Sequence, residues 1–169
     1  GTPEFSVPTL ESLVNSNHKV LAVYSQPASK ANRGQKIIPS SVEIFAKKHS
    51  LNLRTPVSLD SDEEYNFFKK LKPDIVIVIA YGKIIPKKFL DLSTNGFINI
   101  HASLLPKWRG AAPIQRSIMN LDNQTGISIM KIVEELDAGP VMHQDKIQIN
   151  EDTDTLTLSK ALSKLGAKS

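Results

Sequence analysis

The chain has no cysteine, which excludes a disulfide framework, a thiolate metal site and a cysteine nucleophile. Charge of one sign is scarce too: 21 Lys and Arg stand against 17 Asp and Glu, a net +4 at pH 7. An excess that small is what ordinary solvated surface produces without a nucleic-acid partner. No apolar run reaches the length of a membrane-spanning helix, and the opening GTPEFSVPTL lacks the charged start and apolar stretch of a signal peptide. No repeat or low-complexity tract interrupts the 169 residues, 40% of them hydrophobic. That length suits one domain with one sizeable core, and the expectation is a soluble, cytoplasmic protein.

What the chain does have is a series of runs rich in Val and Ile, at 19–25, 74–80, 96–100 and 126–132, each reading as a buried strand. Amphipathic segments separate most of them. Helices are expected over 5–16, over 40–49 behind the cap-like Ser40, over 62–71 after Asp62, over 112–120, and over 153–165 with Thr153 or Asp154 as cap. Strands alternating with helices predict an α/β fold: an open, mostly parallel, Rossmann-like sheet with helices on both faces. The run at 141–149 follows 126–132 with little room for a helix, so that C-terminal pair is expected to be antiparallel. One stretch resists a regular reading: residues 25–40, with prolines and an asparagine, form a long loop. The segment from Gln26 to His49 carries Lys30, Arg33, Lys36, Lys47 and Lys48 against Glu43 alone, an excess as large as that of the whole chain.

The informative stretch runs from Gly96 to Ser117, GFINIHASLLPKWRGAAPIQRS. Asn99 and His101 lie two apart on an otherwise apolar strand, so period-two alternation turns both side chains to one face. At the carboxyl end of a strand in an open α/β sheet, that face meets the crevice where ligands bind. Asparagine is disfavoured in strands and costly to bury unpaired. Taken alone, Asn99 bonded to a neighbouring loop and His101 satisfied at the strand end account for the pattern equally well. Ser103-Leu104-Leu105-Pro106 reads as an irregular segment with two exposed or semi-exposed leucines. It is either a loop tucked into the core, anchored by Trp108, or an apolar wall for a flat aromatic ligand. Pro113 is suited to the first position of a helix. Asp137, in Leu136-Asp137-Ala138-Gly139-Pro140, is by spacing alone a turn former bonding its own backbone.

Asn99, His101, Ser103 to Pro106, Asp137 and Gly139, together with AYGKIIP at 80–86, resemble the folate-dependent formyltransferase superfamily, over nearly the whole chain. Within it, Arg109 to Gln115 and the early Gly1-Thr2-Pro3-Glu4-Phe5 are similar to the branch that acts on methionyl initiator tRNA. The resemblance implies Asn99, His101 and Asp137 as catalytic residues in acyl transfer from 10-formyltetrahydrofolate, a co-substrate, to an amino group. An amine is a good nucleophile once neutral, so no enzyme nucleophile or metal is required. Asn99 would donate to the formyl oxygen, His101 would be a second donor favouring the oxyanion, and Asp137 would hold His101 in a productive ionisation state.

The resemblance further implies that the folate lies against Ser103, Leu104, Leu105 and Pro106, with residues 80–86 as the facing wall. Lys30, Arg33 and Lys36 fall in an insertion that the family uses at the tRNA acceptor end, where they would neutralise phosphates. Without the resemblance, those three charges read as solvated surface. The expectation is a monomeric catalytic domain, residues 1–169, without its first strand or the family's C-terminal β-barrel. A sibling formyltransferase acting on a small amine, such as a nucleotide sugar or glycinamide ribonucleotide, would share the Asn, His and Asp but not need the basic insertion. A dinucleotide-binding oxidoreductase is disfavoured because no Gly-x-Gly-x-x-Gly follows a strand.

Overall fold

A computed structural model describes residues 1–31 and 36–169. A 3-10 turn at Glu4–Ser6 runs into α1 (Val7–Val14), followed by β1 (Val23–Tyr24), β2 (Ser29–Ala31), β3 (Lys36–Ile38), α2 (Ser41–Lys48) and β4 (Leu53–Arg54). Then come α3 (Asp62–Leu71), β5 (Val76–Val78), α4 (Lys87–Leu90), β6 (Phe97–His101), α5 (Pro113–Met119), β7 (Gln124–Lys131), β8 (Val141–Gln148) and α6 (Thr155–Lys168).

Two parallel pairs, β1 with β4 and β5 with β6, each have a helix between their strands. β7 and β8 complete the sheet in the order β5-β6-β7-β8. The pair β7–β8 is antiparallel as the short connection predicts, and the antiparallel part also takes in β6–β7. Alternation along β6 divides two cores. Ile100 packs with Ile114 of α5 and with Leu158 and Leu162 of α6, whereas Phe97 faces Phe68 of α3 and Phe89 of α4. Burying an aromatic or aliphatic side chain of this size stabilises the fold by about 1.5–3 kcal/mol, so helices on both faces hold β6 in place.

Helix starts follow the caps. Ser40 accepts from the Glu43 N–H at 3.0 Å and Asp154 from the Thr157 N–H at 2.6 Å, each cap contributing about 1 kcal/mol. For α3 the cap is Ser61, which accepts from Glu64 N–H at 3.2 Å. Asp62 is the first helical residue, its carboxylate favoured there by the helix dipole. Gly166 of α6 lies against β6: a Cβ at this position would come within 2.8 Å of Ile100 Cγ2.

The region read as one long loop, 25–40, contains a short antiparallel pairing, with Ser29 opposite Ile38 and Lys30 opposite Ile37. Ile37 is 70% exposed. Ser29-Lys30-Ala31 and Lys36-Ile37-Ile38 do not alternate apolar with polar residues, so these strands leave no period-two signature in the sequence. The expected strand at 19–25 is laddered only at Val23 and Tyr24, against a partner two residues long. Among the described residues no helix is long and apolar enough to cross a membrane.

Candidate active site

Asn99 and His101 share the β6 face that carries Phe97, and stand opposite Met130 and Ser128 of β7. Asn99 is half-buried and His101 is buried. The connection between β7 and β8 folds back over this strand end and delivers Asp137. Asn99 Nδ2 donates to Asp137 Oδ1 in a long contact of 3.5 Å. The Gly110 N–H donates to Oδ2 at 2.8 Å, and His101 Nδ1 lies 3.6 Å from the same oxygen. The three residues that the resemblance implies therefore come together, and the Asp137 carboxylate receives its bonds from Gly110 and Asn99.

Local geometry explains how that loop reaches the site. Asp137 has φ +49°, a left-handed conformation that a short polar side chain tolerates better than most. Gly139 lies so close to β7 that a Cβ would sit 1.8 Å from the Lys131 carbonyl oxygen. Only glycine permits this approach.

On the other side of His101, Nε2 is 2.9 Å from the Trp108 carbonyl. One ring nitrogen is engaged there, so Nδ1 is the nitrogen that His101 turns toward Asp137. The Trp108 indole N–H donates to Asp122 Oδ2 at 2.7 Å. Burial opposes ionisation of Asp122, but hydrogen bonds from Lys107, Asn120 and Trp108 outweigh it and hold the carboxyl below its ordinary range. Sequence reasoning missed the Gly110 amide, the Trp108 carbonyl and Asp122. The first two are backbone groups, for which the only signal is the Arg-Gly-Ala turn, where Gly110 has φ +84°.

Ser103 to Pro106 form a loop stapled to β7 and β8. The Ser128 hydroxyl accepts from Leu105 N–H at 3.0 Å and donates to the Ser103 carbonyl at 2.6 Å, while Gln144 Nε2 donates to the Leu105 carbonyl at 2.9 Å. Ser103 is wholly buried, its hydroxyl donating to the Lys107 carbonyl at 2.5 Å. Leu105 is buried as well, where the sequence suggests an exposed or semi-exposed leucine, because its backbone is tied to both strands. Side-chain surface remains at Leu104, which is half-buried, and at Pro106, which is exposed. Across residues 80–86, Lys83 donates to the carbonyls of Pro56 and Val57, Ile84 is 90% exposed, and Tyr81 is buried. Burial, and then the charge of Glu64, push the Tyr81 phenol up to about 12.

Of the basic residues, Lys30 lies on β2 and Lys36 on β3, while Arg33 is outside the described residues. An open cavity of about 470 Å³ lined by Lys87, Phe97, Lys131 and Glu134 includes none of Asn99, His101 and Asp137.

Residues 1–169 match the family described as formyl transferase. The chain belongs to the formyl transferase family. Methionyl-tRNA formyltransferase of Pelagibacter ubique is 55% identical over 169 residues, which cover 99% of this chain and 54% of that protein. The protein of the same name from Roseobacter denitrificans is 50% identical over 167 residues, covering 99% of this chain and 55% of that protein. The chain thus spans about half the length of the curated relatives it matches. Among solved structures, phosphoribosylglycinamide formyltransferase of Bacillus halodurans superposes with a TM-score of 0.78 at 22% identity, over 99% of this chain and 87% of that one. A formyltetrahydrofolate deformylase from Pseudomonas syringae gives 0.76 at 19%, over 99% and 55%. At such identities the superpositions establish the fold alone, an α/β formyl transferase fold with one part of its sheet parallel.

Proposed function

We propose that residues 1–169 form the catalytic domain of a methionyl-tRNA formyltransferase. In this reading it transfers the formyl group of 10-formyltetrahydrofolate to the α-amino group of methionyl initiator tRNA in the cytoplasm, acting as a monomer. The observation that carries the reading is the 55% identity, across the whole chain, to a relative of that name. It is reinforced by the convergence of Asn99, His101 and Asp137 at one strand end.

The folate supplies the formyl carbon. Asn99 Nδ2 is the amide donor available to the formyl oxygen, where negative charge develops during transfer. His101 acts through Nδ1, the nitrogen not bonded to Trp108, as a donor to the same charge when protonated. Asp137 orients the protonated ring and relays a proton from the attacking amine to the folate nitrogen, whose bond to the formyl carbon breaks. Leu104 and Pro106 offer the folate its apolar wall, with Ser103 and Leu105 shaping the loop from behind, and Ile84 contributes to the facing side. Lys30, Arg33 and Lys36 contact the phosphates of the acceptor stem, and Arg33 reads its first base pair.

The test is formyl transfer by the full-length protein from 10-formyltetrahydrofolate to methionyl initiator tRNA, comparing wild type with His101→Ala and Arg33→Ala. Collapse of transfer in both variants supports the assignment. Activity confined to a small amine, or untouched by His101→Ala, overturns it.

A further inference from the structure

The carbonyl of Trp108 fixes how His101 presents itself, and Trp108 is in turn gripped by Asp122. A carbonyl oxygen only accepts, so its 2.9 Å contact with Nε2 puts a proton on that nitrogen. The Asp137 carboxylate also only accepts, but at 3.6 Å from Nδ1 it lies beyond hydrogen-bond distance, so the single proton of the neutral ring sits on Nε2 and Nδ1 faces Asp137 and the reacting groups. Which nitrogen bears the proton decides what His101 can do, and the decision depends on one backbone oxygen.

That oxygen belongs to a residue in an unfavourable conformation. Trp108 has φ +60°, a left-handed backbone disfavoured for a bulky side chain, so it persists only where its surroundings hold it. The hold comes from Asp122. Its Oδ2 accepts from the Trp108 indole N–H at 2.7 Å, and its Oδ1 accepts from Lys107 Nζ and Asn120 Nδ2, both at 2.7 Å. The Asp122 side chain is only 5% exposed, although it lies in a turn between α5 and β7. Ser103 secures the same segment from the other end through the Lys107 carbonyl.

We propose that Asp122 is a positioning residue for the reaction: by holding the Trp108 indole and the Lys107 ammonium it seats the Trp108 carbonyl on His101 Nε2 and thereby selects Nδ1 as the nitrogen facing the site. This rests on the reading of His101 as a catalytic group in formyl transfer. Among the described residues no hydrogen bond joins Asp122 to Asn99, His101 or Asp137, so its influence reaches the chemistry through Trp108. The effect falls on kcat, because substrate contacts remain while the ring is misaligned.

Two measurements on the full-length protein test it. Nitrogen-15 NMR of histidine-labelled protein reads the tautomer of neutral His101 without any substrate. Steady-state formyl transfer separates kcat from KM. The variants are Asp122→Ala, Asp122→Asn, which keeps an acceptor for the indole, and Trp108→Phe, which keeps a packed ring but removes the N–H. Wild type is expected to show the Nε2–H signature. In Asp122→Ala and Trp108→Phe both tautomers are expected, with kcat reduced roughly tenfold to a hundredfold, since small misplacements of a reacting group cost on that order. KM for the folate is expected to stay near wild type, and Asp122→Asn to recover part of the loss.

Should Asp122→Ala fail to fold, Trp108→Phe decides. A wild-type proton on Nδ1, or variants with a single Nε2–H tautomer and unchanged kcat, overturns the role of Asp122. A wild-type protein with the Nε2–H signature that transfers no formyl group overturns the functional reading instead.

Discussion

Gly110 and Asp137 are joined by a 2.8 Å hydrogen bond from backbone amide to carboxylate, on the same oxygen that His101 Nδ1 approaches at 3.6 Å. The amide anchors the carboxylate independently of the imidazole, so the charge of Asp137 can be removed with little effect on its placement. In Asp137→Asn, we expect a folded protein whose kcat falls on the order of a hundredfold or more, the contribution of a positioned acid–base group. Rates of formyl transfer beside a thermal melt check this. Retention of most of the activity would remove Asp137 from the proton relay.

Asn99→Ala deletes the side-chain amide and leaves β6 a better strand former in place of asparagine. Loss of one donor aimed at developing oxygen charge corresponds to a kcat decrease of about 100–1000-fold. The folate should still bind, which a fluorescence titration with a non-transferable folate analogue can establish.

Gly139→Ala places a methyl where the Lys131 carbonyl oxygen already lies, 1.8 Å from the built Cβ. The connection that carries Asp137 must lift away from β7. Formyl transfer is expected to drop sharply while the two cores, to which this connection contributes Ile132 at the edge of one, retain cooperative unfolding. Full activity in Gly139→Ala would contradict the close approach.

Ser128→Ala removes the hydroxyl that accepts from the Leu105 N–H and from Gln144 and donates to the Ser103 carbonyl. Buried groups left unpaired cost about 1–3 kcal/mol each. The expected result is a lower denaturant midpoint together with a raised KM for the folate. An unchanged KM would mean that the 103–106 loop keeps its shape without the staple.

Asp122 ties stability to acid pH. Its folded-state carboxyl titrates below the ordinary value, so the stability it contributes is fully present above the unfolded value and is lost as pH falls through the folded one. Asp154, whose carboxylate accepts the Thr157 N–H, has the same sign. Melting temperatures between about pH 5 and pH 2 should therefore fall more steeply for wild type than for Asp122→Asn. Parallel curves would show that Asp122 contributes nothing to acid sensitivity.

The parts of this site that side chains encode were legible in the sequence. A polar pair in an apolar strand drew attention to Asn99 and His101 without deciding their role, and cap-like residues, Ser40 for one helix and Thr153 or Asp154 for another, marked two helix starts. Asp137 was different: its spacing described a turn residue bonded to its own backbone, and the resemblance supplied its role. In the structure its carboxylate instead reaches Gly110 and Asn99. The Gly110 amide and the Trp108 carbonyl were illegible because every residue but proline carries an amide and every residue a carbonyl; only folding selects which ones point inward. The pairing of Ser29–Ala31 with Lys36–Ile38 escaped notice for another reason, since their short sequences show no alternation of apolar and polar residues. Ser103 and Leu105, which the resemblance implies as folate contacts, are buried within the loop on which Leu104 and Pro106 keep exposed surface.

The contact between Gly166 and Ile100 ties α6 to the strand that carries Asn99 and His101. Ile100 lies between Asn99 and His101 with its side chain on the opposite face, so the helix braces that strand from behind. Ablating that brace would be invisible to any inspection of polar groups. For redesign, position 166 is accordingly a dial: enlarging it step by step would push β6 toward the crevice and retune the reactive geometry from the far side of the sheet.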